Sequence, residues 1–81
     1  MTSDQLRAAR AILRWDQKSL AERSGVSIPT IKRLEAQDGM ISANTPTLAA
    51  IRTALESAGV QFVEKDDVAG GKGVTFRQGH G

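Results

Sequence analysis

The stretch QKSLAERSGVSIPTIKRLE, residues 17–35 of this 81-residue chain, holds the side chains whose chemistry is most specific. Arg33 can donate two parallel hydrogen bonds to guanine O6 and N7, and Lys32 can reach guanine or phosphate. Ile28 and Pro29 can touch thymine methyl groups, and Thr30 can bond a phosphate or a base edge. For Ile28, burial against a neighbouring helix is an equal alternative, and a solvated face is the plain alternative for Lys32 and Arg33. Gln17 and Lys18 follow Asp16, a residue type that caps helices. They therefore fall in a first turn, where free N–H groups and the helix dipole attract phosphate. The chemistry on offer is non-covalent recognition of a polyanion that also displays base edges.

Other reactive constellations are thin. Asp16 with Glu22, or Asp66 with Asp67, could be imagined as carboxylate pairs, but neither has a nearby His, Cys or ligand set, so an enzyme is not expected. The glycines at 70, 71 and 73 superficially suggest a phosphate cradle, yet no Gly-Lys-Ser/Thr ending or helix follows them. His80 stands alone in a glycine tail. Without cysteine there is neither a disulfide framework nor a thiolate metal site, and no metal, cofactor or small-molecule ligand is expected.

The residues at positions 17–35 need a scaffold that holds two helices closely together. Ala21, Gly25 and Ile31 provide it: a small side chain lets the second helix cross closely, and glycine supplies the positive φ that ends the first. Ser27 then caps the next helix, with Pro29 in its first turn, where a missing N–H is harmless. Leu20, Val26, Ile31 and Leu34 pack the pair. With Ile31, Leu34 and Glu35 inward, Ile28, Pro29, Lys32, Arg33 and Ala36 lie outward, Thr30 at the flank.

Around this pair the chain reads as follows. Thr2 and Gln5 have capping-box spacing and Leu6, Ala9 and Leu13 recur at helical intervals, so a first helix is expected over Ser3–Arg14, with Arg7, Arg10 and Arg14 on a neighbouring stripe. Trp15, beside Leu13 and Leu20, is expected in the core. A loop spans Gln37–Asn44 with a turn at Asp38-Gly39. Thr45 is expected to cap, and Pro46 to open, a fourth helix whose stripe is Leu48, Ile51, Leu55 and Ala58, ended by Gly59. The period then changes to two: Val60–Glu64 and Val74–Arg77 read as strands of a β-hairpin. Such a hairpin is marginal alone, so Phe62 and Phe76 must bury on the helices or against a second subunit. Intersubunit pairing is favoured because an edge strand offers a ready surface, with Phe62, Val63, Val74 and Phe76 as its residues. The expected organisation is a helical unit at 1–59, a hairpin dimerisation element at 60–78 and a flexible tail at 79–81.

Charge supports a polyanionic partner. Residues 1 to 35 carry Arg7, Arg10, Arg14, Lys18, Arg23, Lys32 and Arg33 against four acids, giving +3, whereas the remainder is −1. An ordinary solvated surface fits charge alone equally well. No apolar run approaches membrane-spanning length, and Asp4, Arg7 and Arg10 interrupt the N-terminus where a signal peptide would be apolar, so a cytoplasmic location is expected.

The matching set Gln17, Leu20-Ala21, Gly25-Val26-Ser27, Ile31 and Leu34-Glu35, followed by Pro46 and Leu48, resembles the phage-repressor and Cro-like helix-turn-helix family, or XRE-type regulators. The resemblance covers roughly residues 5 to 58. It implies a mainly α fold, a four-helix lambda-repressor-like DNA-binding domain here extended by the C-terminal hairpin. It also implies that Gln17 holds backbone phosphate, that the helix of Ser27–Gln37 reads bases in the major groove, and that Arg10 pairs structurally with Glu35. Many relatives carry glutamine and serine where this chain has Ile28 and Pro29, and some carry basic residues in place of Met40 and Ile41, so base preference and loop contacts do not transfer.

The expected function is a sequence-specific DNA-binding regulator, a repressor acting as a homodimer on a palindromic operator in double-stranded DNA. Its backbone contacts would be Gln17, Lys18, Arg14, Ser27, Ser42, Asn44 and Thr45. The alternative is an antitoxin-like protein that binds DNA and neutralises a toxin through its C-terminal segment, a reading motivated by the exposed strand edge.

Overall fold

The computed structural model describes residues 1–63 and 73–76. Expectations attached to Glu64, Asp66, Asp67, Gly70, Gly71, Arg77 and His80 lie outside the described residues.

Helix α1, Ser3–Leu13, begins in the expected capping box: Thr2 Oγ1 accepts from the Gln5 N–H at 3.0 Å, and Gln5 Oε1 accepts from the Thr2 N–H at 2.8 Å. It ends one residue before Arg14, which is the C-cap in the left-handed conformation at φ 57°. Helix α2, Gln17–Ser24, is capped by Asp16, whose carboxylate accepts from the Ser19 N–H at 2.7 Å. Gly25 closes it at φ 78°. A Cβ at Gly25 would meet nothing within 4 Å, so backbone conformation and not space requires glycine there. Helix α3, Ile28–Glu35, starts at the Ser27 cap with Pro29 in its first turn.

Helix α4, Thr45–Ser57, corrects one expectation: the N-cap is Asn44, not Thr45, and its side chain accepts from the Thr47 N–H at 2.9 Å. Both residue types cap well. A proline fits more than one first-turn position, because none of those N–H groups has an intrahelical acceptor. The pattern Asn-Thr-Pro is therefore degenerate by one residue until the asparagine carboxamide resolves it.

Strands β1, Val60–Val63, and β2, Gly73–Phe76, pair antiparallel with Val60 opposite Phe76 and Phe62 opposite Val74. Alternation puts Val60, Phe62, Val74 and Phe76 on one face. Val60 is buried, Phe62 and Val74 pack half-buried against the core, and Phe76 stays 44% exposed. Of the two destinations open to the phenylalanines, Phe62 takes the helices of its own chain. The Arg52 guanidinium lies over its ring, 5.0 Å from the centroid.

The core consists of Leu6 and Ala9 from α1, Leu20 from α2, Ile31 and Leu34 from α3, Ile41 from the loop after α3, Ile51 and Leu55 from α4, and Val60 from β1. Trp15 packs against its rim, half-buried, with Arg23 stacked 4.7 Å over the ring. Ile41 is buried in what the sequence presents as loop. A short antiparallel bridge between Thr2 and Met40 holds it: the Ser3 N–H donates to Gly39 O at 2.9 Å and the Ile41 N–H to Met1 O at 3.0 Å.

Candidate nucleic-acid interface

The turn between α2 and α3 is fixed by short-range hydrogen bonds. The Gly25 N–H donates to Ala21 O at 2.9 Å, the Ser24 hydroxyl donates to Leu20 O at 2.7 Å, and that hydroxyl accepts from the Val26 N–H at 3.1 Å. Ala21 and Val26 pack against the core beneath it. These three bonds, with Ala21 and Val26 packed beneath them, hold α3 against α2.

Helix α3 buries Ile31, Leu34 and Glu35 and exposes Pro29, Lys32, Arg33 and Ala36. Ile28 and Thr30 are half-buried at the flanks. The expected outward set is thus on one face, and among the described residues neither Lys32 nor Arg33 forms an ion pair that would hold it back. Thr30 and Ser27 are joined: the Ser27 hydroxyl donates to Thr30 Oγ1 at 2.9 Å and accepts from the Thr30 N–H. With its proton committed, Ser27 has lost its free donor, whereas the Thr30 hydroxyl proton can still point to an outside acceptor.

At the start of α2, the Gln17 and Lys18 N–H groups precede the first amide that the Asp16 carboxylate satisfies, that of Ser19. The Asp16 carboxyl is held below the ordinary value by the backbone hydrogen bond from Ser19 and then by the Ser19 side chain. Lys18 and Arg14 are exposed nearby in the chain. The loop before α4 is braced by Gln37, which accepts from the Ser42 N–H at 2.7 Å and donates to Ser42 O at 3.1 Å. Ser42, Asn44 and Thr45 are exposed. The Asn44 oxygen is occupied as the cap, which leaves its NH₂ for an outside acceptor.

Behind these residues lies the pair implied by the family resemblance. Arg10 Nε donates to Glu35 Oε2 at 2.6 Å and Arg10 Nη2 to Oε1 at 2.8 Å, while Nη1 donates to the Trp15 carbonyl at 2.9 Å. Gln17 Nε2 donates to the same Glu35 Oε1 at 3.0 Å, and Arg7 binds the Glu35 main-chain carbonyl while pairing with Asp4. Burial pushes the Glu35 carboxyl up, but hydrogen bonds from Arg10 and Gln17 and the charges of Arg10 and Arg7 outweigh it and hold the group below its ordinary value. Arg10 is raised, chiefly by its hydrogen bond to Glu35.

Two elements of this network escape sequence reading. Arg7 sits on the expected basic stripe with no role apparent, and its spacing of three from Arg10 is the only signal that both reach Glu35, Arg7 at its main-chain carbonyl and Arg10 at its carboxylate. The inward bond of Gln17 has no signal at all, since an amide in a first turn reads as solvent-facing. Of the hairpin residues, Val63 is half-buried and its carbonyl accepts from Gln5 Nε2 at 3.0 Å. Among the described residues no group of three or more His, Cys, Asp or Glu side chains could hold a metal ion, and no helix is long and apolar enough to cross a membrane.

No curated protein matches the chain. A family model described as helix-turn-helix matches residues 6–57, from the first buried leucine of α1 to the last residue of α4. That span contains the capped α2, the left-handed glycine, the outward basic face of α3 and the Arg10–Glu35 pair, and the chain belongs to the XRE-type helix-turn-helix family of DNA-binding transcriptional regulators.

Proposed function

We propose that the protein is a sequence-specific repressor that binds a palindromic operator as a homodimer, with α3 in the major groove and the first turn of α2 on the phosphate backbone. The observation that carries this reading is the exposed face of α3, on which Pro29, Lys32 and Arg33 stand opposite the buried Ile31, Leu34 and Glu35. Base contacts come from Ile28, Pro29, Thr30, Lys32 and Arg33, and backbone contacts from Gln17, Lys18, Arg14, Ser42, Asn44 and Thr45. Ser27 acts mainly by orienting Thr30. Residues 1–59 serve as the DNA-binding unit and residues 60–78 as the dimerisation element, with the exposed Phe76 as its apolar anchor. Two such units read half-sites about one helical turn, ~34 Å, apart. The cytoplasm is the compartment in which this activity is exercised.

Selection from random duplexes tests the reading. A two-fold-related site is expected to be enriched. Arg33→Ala is expected to weaken binding to it by roughly 1–3 kcal/mol and relax discrimination at one base, whereas Gln17→Ala weakens binding on all sequences. Absence of any enriched site, or an unchanged motif for Arg33→Ala, counts against sequence-specific recognition. Purification from the native host separates the runner-up: a stoichiometric small toxin bound through the hairpin supports the antitoxin reading, and a homodimer alone supports the repressor.

A further inference from the structure

We infer that Glu35 is a positioning residue for DNA backbone binding, acting through Gln17; this deepens the phosphate role proposed for Gln17 and rests on it. Gln17 opens α2, where a long amide side chain would otherwise sample several rotamers. Its Nε2 is fixed instead by donation to Glu35 Oε1 at 3.0 Å. The orientation is chemically unambiguous, because only the NH₂ end of a carboxamide can donate to a carboxylate. That NH₂ has two hydrogens, so one remains for a phosphate oxygen, beside the backbone N–H of the same residue.

A carboxylate close to a phosphate would ordinarily repel it. Here Arg10 neutralises Glu35 through two hydrogen bonds, and Arg10 is anchored in turn on the Trp15 carbonyl. The carboxylate is buried at 6% exposure, so it presents an acceptor to Gln17 without presenting a net negative surface to DNA. Glu35 thus joins α1, α2 and α3 at one point. It orders the Gln17 amide before DNA arrives and removes the rotamer cost from the binding step.

The test is a double-mutant cycle with full-length protein on a duplex lacking any selected site, at a temperature where melting curves show every variant folded. Gln17→Ala is expected to weaken binding about tenfold in the native background, as for a hydrogen bond to a charged acceptor. In the Arg10→Met/Glu35→Leu background the same change is expected to cost no more than about threefold, because the amide no longer has an acceptor to hold it. Equal losses in both backgrounds, with duplex binding intact, overturn the inference. Failure of the native protein to bind any duplex overturns instead the DNA-backbone reading on which it rests. If the Arg10→Met/Glu35→Leu protein does not fold, NMR of the native protein decides. One Gln17 Nε2 hydrogen should be protected from solvent exchange in the free protein and the second only when duplex is added; two unprotected hydrogens in the free protein overturn the inference.

Discussion

Glu35→Ala is expected to destabilise the protein by about 3–5 kcal/mol, the usual consequence of removing one partner from a buried ion pair. The Arg10 side chain, 20% exposed, would keep only the Trp15 carbonyl, and Gln17 would lose its acceptor. Domains of this size have roughly 5–15 kcal/mol in total, so the variant should be largely unfolded in mild denaturant. Urea unfolding followed by circular dichroism measures it. Replacing both partners, Arg10→Met with Glu35→Leu, should restore most of the loss, because the cost lies in the orphaned charge and not in the missing pair. If the double change is as damaging as the single one, the orphaned-charge explanation is wrong.

The same network has a pH signature. Glu35 is held below its ordinary value in the folded protein, so the unfolded chain binds more protons in the acid range. Its contribution is complete above the unfolded carboxylate pKa of ~4.3 and is lost as pH falls through the lower folded value. Glu35→Gln should therefore flatten the fall in stability below about pH 4. The slope will not vanish, because the Asp16 carboxyl is also lowered, by its hydrogen bonds from Ser19, and remains.

Leu20→Ala is expected to cost about 2–5 kcal/mol. Leu20 is completely buried on α2, the one fully buried residue of that helix, and packs in the cluster with Ile31 and Leu34. The void left by one methine and two methyl carbons cannot be closed by α2 without tilting it relative to α3, whose angle is fixed at Gly25. A midpoint drop of at least about 8 °C in thermal unfolding is expected from that range for a domain of 60–100 residues. Ile12→Ala supplies the contrast. Ile12 is 41% exposed at the end of α1, and its truncation should stay within roughly 0.5 kcal/mol. Comparable losses for the two would mean that the packing between α2 and α3 is not what holds the pair.

What the sequence disclosed was local. The Thr2–Gln5 capping box, the Asp16 and Ser27 caps, Gly25 and the outward face of α3 are all decided within four or five neighbouring residues, and the side-chain chemistry at those spacings has few other uses. The hairpin is local too, announced by the change of period at Val60. The Arg10–Glu35 pair was available only through family resemblance, since 25 residues separate its partners and neither carries a local mark of the other. What stayed hidden has the same cause. Gln17 meets Glu35 across 18 residues, Gln5 meets Val63 across 58, and the Thr2–Met40 bridge that buries Ile41 leaves no pattern in either segment. The cap of α4 is the exception: Asn44 and Thr45 are neighbours that can both cap, and the geometry of the first turn assigns the role to Asn44.

The convergence of three helices on one carboxylate limits how this regulator can be retargeted. Arg10 and Glu35 are an all-or-none unit, since passing through either single change costs much of the stability of a small domain. Lys32 and Arg33, in contrast, project from α3 without an ion pair among the described residues, and exchanging them one at a time should leave the fold within roughly 0.5 kcal/mol. The outer surface of α3 can therefore be changed residue by residue, while the joint that carries that surface accepts only concerted replacements.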